Sequence, residues 1–242
     1  MANTVVIDRR FNGPPDSANG GYTCGLLARA IDGPAEVTLR KPPPLERELR
    51  VARDGERRLL LDGEELVAEA GAVAPDWEVP EPVAIEDARA AVPGSPFLAR
   101  PRPFVTCFVC GPDREARDGL DIFPGPVAAR PDLHAGTWTP DTSLTTDGGV
   151  VPAEVVWASL DCPTSGPVAN WAGPGVKARP IVLARLAADL RAPVHVGTEY
   201  VVLAWPIAVD GRKRRSGSAL YTRDGDLVAS SRALWIELRD EG

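Results

Sequence analysis

The sequence predicts an α+β fold of two tandem units, each a buried helix followed by an antiparallel meander. Three observations carry this reading. A Pro/Gly-rich turn leads through Asn19-Gly20-Gly21 into an apolar helix early in the chain. Short strand-like runs follow, separated by Asp-Gly pairs, the strongest short-range hairpin signal. The same order of helix, strands and turns then recurs in the second half, together with some of the residues.

Residues 11–32 read FNGPPDSANGGYTCGLLARAID. Asn19 is a favourable N-cap, and the missing side chains of Gly20 and Gly21 let another group approach the first free N–H groups of the helix. Such a start receives a carbonyl oxygen or an anion. An ordinary capped core helix reads the same way, and this stretch alone leaves both open. Residues 22–31 are apolar nearly all round through Cys24, Leu26, Leu27, Ala28, Ala30 and Ile31, and Gly25 permits tight packing. The helix is therefore expected to be buried and wrapped by strands.

Strands are expected at 36–40, 49–53, 57–61 and 66–73, with Asp54-Gly55 and Asp62-Gly63 at turns, which completes a first unit at 1–74. Repeated proline at 75–103 excludes a central strand and leaves room for a short helix at 85–91, so this segment reads as a linker. The second unit, 104–242, is expected to open with a strand in FVTCFVCG (104–111), with further strands at 119–123 and 134–139. A helix at 151–162 and strands at 181–190, 199–209, 217–222 and 227–238 follow, with Asp210-Gly211 and Asp224-Gly225 at the turns.

LRKPPPLERELRV from Leu39 aligns without a gap to LRAPVHVGTEYVV from Leu190, and Leu66-Val67-Ala68 matches Leu227-Val228-Ala229. Agreement in both order and turn chemistry points to an internal duplication. Two such units are expected to join edge to edge in one sheet with their helices antiparallel, which also removes the exposed edge of each.

Composition narrows the function. A net charge of −7 argues against a protein that holds nucleic acid through its phosphates. Charges interrupt the N-terminal apolar run, and no later run is long enough to span a bilayer, so a cytoplasmic protein without a membrane partner is expected. Cys24, Cys107, Cys110 and Cys162 are too few and scattered for a disulfide framework. Cys107-x-x-Cys110 has half the spacing of a zinc site, with only Cys162 and His134 as further candidates, so buried structural thiols and no metal are expected. His134 and His195 fall in strand-like stretches, which disfavours a helix-borne catalytic histidine. No G-x-S-x-G nucleophile elbow is present.

A buried helix entered through Asn-Gly-Gly and wrapped by a meander resembles the hot-dog fold, and two in tandem resemble the double hot-dog acyl-CoA thioesterases. CFVCGPDREARDGLDIF (107–123) resembles the opening strand and turn of phenylacetyl-CoA-thioesterase-like hot-dog proteins, and VVWASLDCPTSG (155–166) resembles their central helix with its acidic residue. The resemblance covers nearly all of the chain outside the linker. It implies hydrolysis of an acyl-CoA or acyl-carrier thioester by a homodimer, with no cofactor beyond the coenzyme A of the substrate. The superfamily also includes non-catalytic acyl-thioester-binding proteins and hydratases or dehydratases, and these remain the alternatives.

Matching Gly33-Pro34 to Gly166-Pro167 sets Asn19-Gly20-Gly21 against Pro152-Ala153-Glu154 and Ala28 against Asp161. The first unit keeps the Gly-Gly helix start, and the second keeps the acid. Residues eight positions apart on one helix are separated by about 12 Å, too far for both to touch one thioester carbonyl. Either both sites have decayed, or the survivors combine into one composite site. In that site the helix start at Asn19, Gly20 and Gly21 would be the electrostatic element, and Asp161 the general base or nucleophile. Tyr22, Trp157 and Trp171 are candidates for lining the acyl pocket. Ser165 could hold the Asp161 carboxylate or a water if the helix continues past Pro163. The basic run Arg212, Arg214 and Arg215 either meets the phosphates of coenzyme A or forms a solvated turn.

Overall fold

Among the described residues the strands pair antiparallel into a single sheet. The computed structural model describes residues 3–115, 117–145, 149–169 and 179–239. The first unit comprises β1 (Asn3–Val6), α1 (Gly20–Ala28), β2 (Ala35–Leu39), β3 (Glu48–Asp54), β4 (Arg57–Asp62) and β5 (Glu65–Ala72). A short helix, α2 (Ile85–Ala91), stands in the Pro-rich stretch. The second unit comprises β6 (Gly125–Val127), β7 (Arg130–Trp138), α3 (Ala153–Ser165), β8 (Ile181–Leu190), β9 (Tyr200–Asp210), β10 (Lys213–Tyr221) and β11 (Leu227–Glu237). Among the described residues the strand order is β1-β3-β4-β5-β2-β8-β11-β10-β9-β7-β6.

That order reads alike outward from the β2–β8 junction, apart from β6 at one end. The two edges join through Ala35↔Ala188 to Thr38↔Arg185. The register repeats as well. Leu39 faces Ala68 across β2 and β5, and Leu190 faces Ala229 across β8 and β11. Beyond these pairs the Arg40 and Lys41 N–H groups donate to Val67 O, while those of Arg191 and Ala192 donate to Val228 O. The residues matched in the sequence alignment thus occupy matching positions.

α1 and α3 lie side by side under the sheet in one hydrophobic core drawn from both units. A Cβ at Gly21 would fall on the Asp161 Cβ and lie 2.8 Å from Trp157 O, while one at Gly25 would lie 2.5 Å from Glu154 Cα. Contacts that run forward along α1 therefore run backward along α3, and the helices are antiparallel. An Arg29–Glu154 ion pair of 3.2 Å closes the far end.

The helices differ in detail from the sequence reading. α1 starts at Gly20, one residue after its cap, and stops at Ala28, where the Arg29 N–H donates to Gly25 O. α3 continues through Pro163 to Ser165. Proline removes one intrahelical hydrogen bond, and carbonyls near the end of the helix also accept from side chains. Ser218 Oγ donates to Leu160 O at 2.7 Å, Thr164 Oγ1 to Asp161 O at 2.6 Å and Ser165 Oγ to Cys162 O at 2.8 Å.

Two expected strands do not form. Residues 104–111 are turns, and 119–123 is extended but lies outside the sheet, tied to the turn by Leu120 N–H to Phe108 O (2.8 Å) and Ile122 N–H to Val109 O (3.0 Å). Phe104 and Asp121 both adopt positive φ, 58° and 54°, which breaks the extended path at each segment. The second unit's outer strands are instead β7 and the short β6, and β1 adds an edge strand to the first unit.

Residues 77–91 run across the opposite face of the second unit's sheet, and the chain then returns to the main core at Phe97. Ile85, Ala88 and Ala91 of α2 pack on Val201, Leu203 and Trp205 of β9, while Tyr200 and Val202 face the main core. With both faces covered, β9 reads as the continuous apolar run YVVLAW instead of alternating. Trp77 Nε1 donates to Ser230 Oγ at 3.1 Å, which fixes the linker on the sheet. No helix among the described residues is long and apolar enough to cross a membrane.

Candidate active site

The α1–α3 contact brings the surviving halves of the expected site together. Asn19 uses both ends of its side chain. Its Oδ1 accepts from the Tyr22 N–H at 2.8 Å, capping α1, and its Nδ2 donates to Asp161 Oδ2 at 3.1 Å. The Gly21 N–H donates to the same oxygen at 2.9 Å. The absence of a side chain on Gly21 thus admits the carboxylate of the other unit to the helix start. Asp161 does not turn back to cap its own helix; both partners of Oδ2 belong to the first unit.

Asp161 is 1% exposed, and its Oδ1 is buried without a hydrogen-bond partner among the described residues. Desolvation pushes its pKa up to about 7, against the opposing pull of the Gly21 N–H and the Asn19 amide. A carboxylate that exchanges a proton near neutrality, with one oxygen clamped and the other unpartnered, suits acid–base work.

Asp161 forms part of the wall of a cavity of about 370 Å³. Asn19, Gly20 and Ser165 also line it, with Pro14, Leu39, Phe104, Leu183 and Trp235 supplying apolar surface. The Gly20 N–H has no hydrogen-bond partner among the described residues, and Gly20 stands on this wall. Arg40 and Lys41 bring positive charge to the same wall, with Glu69 and Glu65 as their respective ion-pair partners.

The other expected site residues are placed differently. Tyr22 lies off the cavity, stacked on Phe11 with ring centroids 4.0 Å apart. Trp157 is buried in the helix–helix contact, beside Gly21 and Gly25, and does not line the cavity. Ser165 reaches the wall, but its hydroxyl is committed to Cys162 O and does not hold the carboxylate. Trp171 lies outside the described residues. Arg212, Arg214 and Arg215 do not form one patch. Because β10 alternates its side chains, Arg214 turns inward to pair with Glu237 while Arg215 faces a hollow on the other side of the sheet, beside Trp77. Arg212 donates to Glu237 O at 2.9 Å. None of the three lines the cavity.

Sequence reasoning missed two features of the wall. One is the Arg40–Lys41 pair, whose signal was the repeated Leu-Arg step used only for alignment. The other is how closely the thiols meet, since the sequence offers Cys162 only as one possible further ligand and predicts no metal. Cys107 and Cys110, from the turn at 104–111, reach Cys162 on α3, so the three sulfurs lie within 4.8 Å of one another beside Asp161.

His134, on β7, is outside the cavity wall, and its Nδ1 is buried without a partner among the described residues. Desolvation pushes its pKa down to about 4. An unfolded histidine titrates near 6.5, so between these values the unfolded chain binds more protons and stability falls as pH drops from about 6.5 towards 4. His134→Gln should flatten this part of the curve. Urea unfolding at about pH 7 and about pH 5 tests it; an equal loss in both proteins would show that His134 does not contribute.

The sequence matches no family model and no curated protein. Solved structures do resemble it. The tesB protein of Mycobacterium avium subsp. paratuberculosis aligns with a TM-score of 0.58 at 13% identity, covering 93% of this chain and 89% of that one. The acyl-CoA thioesterase II TesB2 of Mycobacterium marinum aligns with a TM-score of 0.57 at 12% identity, covering 99% and 93%. A protein of unknown function with a hot-dog fold from Alicyclobacillus acidocaldarius aligns at 0.50 and 10%, covering 98% and 92%. With the mirrored strand order, these likenesses define the class: the protein has the α+β double hot-dog fold. At such identities they establish the fold and not the chemistry.

Proposed function

We propose that the protein hydrolyses an acyl-CoA or related acyl thioester at the composite site between its two units. The observation that carries this reading is the Asp161 carboxylate, buried at the cavity wall with Oδ2 held by Asn19 and Gly21 of the other unit and Oδ1 unpartnered among the described residues. The acyl carbonyl would sit against the start of α1, where the Gly20 N–H and the positive helix end polarise it and stabilise the oxyanion. Asp161 Oδ1 would take a proton from the attacking water, or attack the carbonyl carbon itself. On the first route the C–S bond breaks and the departing thiolate takes up the proton that Asp161 received. On the second the C–S bond breaks to leave an acyl–Asp161 anhydride, the thiolate takes a proton from solvent, and water hydrolyses the anhydride to the acid and the free carboxylate. Arg40 and Lys41 are better placed than the 212–215 run to meet the phosphates of a coenzyme A.

The thioesterases among the similar structures support this reading. The mirrored order and matched register support an internal duplication in which each copy has lost a different half of its site. The reading also includes a cytoplasmic homodimer and needs no cofactor beyond the coenzyme A carried by the substrate. Thiol release from a panel of acyl-CoAs, followed with a thiol reagent, is the direct test, and saturable release from at least one is expected. Binding without release from any would make this an acyl-thioester-binding protein. Loss of enoyl absorbance without thiol release would make it a hydratase.

A further inference from the structure

Three of the four cysteines meet at one point of the cavity wall, and the thioester chemistry uses none of them. We infer that Cys107, Cys110 and Cys162 form a zinc-binding site whose fourth coordination position is left to the cavity. The site is independent of the thioesterase reading.

Spacing gives the first argument. The three Sγ atoms lie within 4.8 Å of one another, and Cys107 and Cys162 are 3.6 Å apart. With Zn–S bonds of about 2.3 Å, a tetrahedral site has S···S edges of about 3.8 Å. One edge is already in place, and the others need to close by at most about 1 Å.

The surroundings of the sulfurs give the second. Arg102 Nη2 stands 3.4 Å from Cys110 Sγ. Asn19 Nδ2 lies 4.0 Å from Cys107 Sγ and 3.7 Å from Cys162 Sγ. N–H donors thus stand near each sulfur, the kind of outer contact that orients metal-bound cysteines. The turn carrying the first two cysteines is fixed by the Gly111 N–H donating to Cys107 O at 2.8 Å. It presents both side chains to α3.

Charge gives the third. Three thiolates and one divalent zinc sum to −1, and the Arg102 guanidinium, on a residue 9% exposed, offsets this within the buried region, while the neighbouring Asp161 adds a negative charge when ionised. Binding sends three thiol protons to solvent. An all-sulfur set selects zinc over calcium or magnesium, which prefer oxygen. Among the described residues no fourth His, Cys, Asp or Glu joins the set. Water, or an atom of a bound ligand, completes the tetrahedron, and three protein ligands with one open position is the pattern of reactive rather than closed zinc sites.

The test uses the full chain purified under reducing conditions. Elemental analysis should find one zinc per chain that survives dialysis. Cobalt(II) replacing the zinc should give the sulfur-to-metal charge-transfer bands and intense visible bands of a tetrahedral thiolate site. Cys110→Ser and Cys162→Ser should each weaken cobalt binding by at least about a hundredfold, more than the loss of a supporting contact costs. Cys24→Ser, which changes a buried thiol outside the set, should leave it intact. Cobalt titration of the unmutated protein keeps the test decisive if a variant fails to fold. Four reduced thiols in the denatured protein, with neither metal taken up by the native one, would overturn the inference. So would a Cys107–Cys162 disulfide in protein purified without reductant.

Discussion

Asp161→Asn should lower kcat/KM for thioester hydrolysis by about 10²–10⁴-fold, the range typical of a lost general base. The substitution is nearly isosteric. The amide can still accept from the Asn19 Nδ2 and the Gly21 N–H through its oxygen, so α1 and α3 should stay in place. What disappears is the capacity of Oδ1 to take a proton or attack carbon. Binding of a non-hydrolysable thioether analogue, measured by calorimetry, should change little, which separates a chemical role from a binding role. Turnover within a factor of two or three of the parent would remove Asp161 from the reaction and return it to a structural role at the helix contact.

Gly21→Ala should have the largest effect on stability, about 3 kcal/mol of destabilisation. The new methyl group would meet the Asp161 Cβ, Trp157 O at 2.8 Å and Ala158 Cα at 3.0 Å. Two of these belong to the α3 backbone, which cannot yield by changing a rotamer. The helices would have to separate, and the Gly21 N–H to Asp161 bond would lengthen with them. For a chain of this size the loss corresponds to a fall in melting temperature of about 6–12 °C. Gly71→Ala is the control, because a Cβ there meets nothing within 4 Å. Calorimetry of both variants decides the matter. Equal, small changes would mean that the helices are less tightly apposed than their contact distances state.

Part of the site was legible because helix caps and small residues are local signals. Asn19-Gly20-Gly21 marks a helix start whatever surrounds it, and α1 begins there. The Asp-Gly turns located β3, β4, β5, β10 and β11 because turn chemistry depends on neighbours in sequence. The gap-free alignment at Leu39 and Leu190 carried the register of both meanders, since a strand's partners follow once its turns are set. The segment at 104–123 misled for a matching reason. Its apolar residues suit a strand, yet Phe104 and Asp121 adopt positive φ, which residue type alone does not announce at either position.

The sequence by itself determined the two-unit α+β architecture, the helix starts and the separation of the Gly-Gly step and the acid into different halves. Those are consequences of local propensity, turn chemistry and repetition. The tertiary structure decided how close the halves come, and so which groups are occupied. It placed Gly21 against α3 so that its N–H serves Asp161, withdrew Tyr22 and Trp157 from the cavity, split Arg214 from Arg215 across the sheet and carried Cys162 to Cys107 and Cys110. Each outcome depends on a distance between residues far apart in the chain. Such distances are set by how side-chain volumes fill one shared core, and pattern along a sequence does not encode that directly.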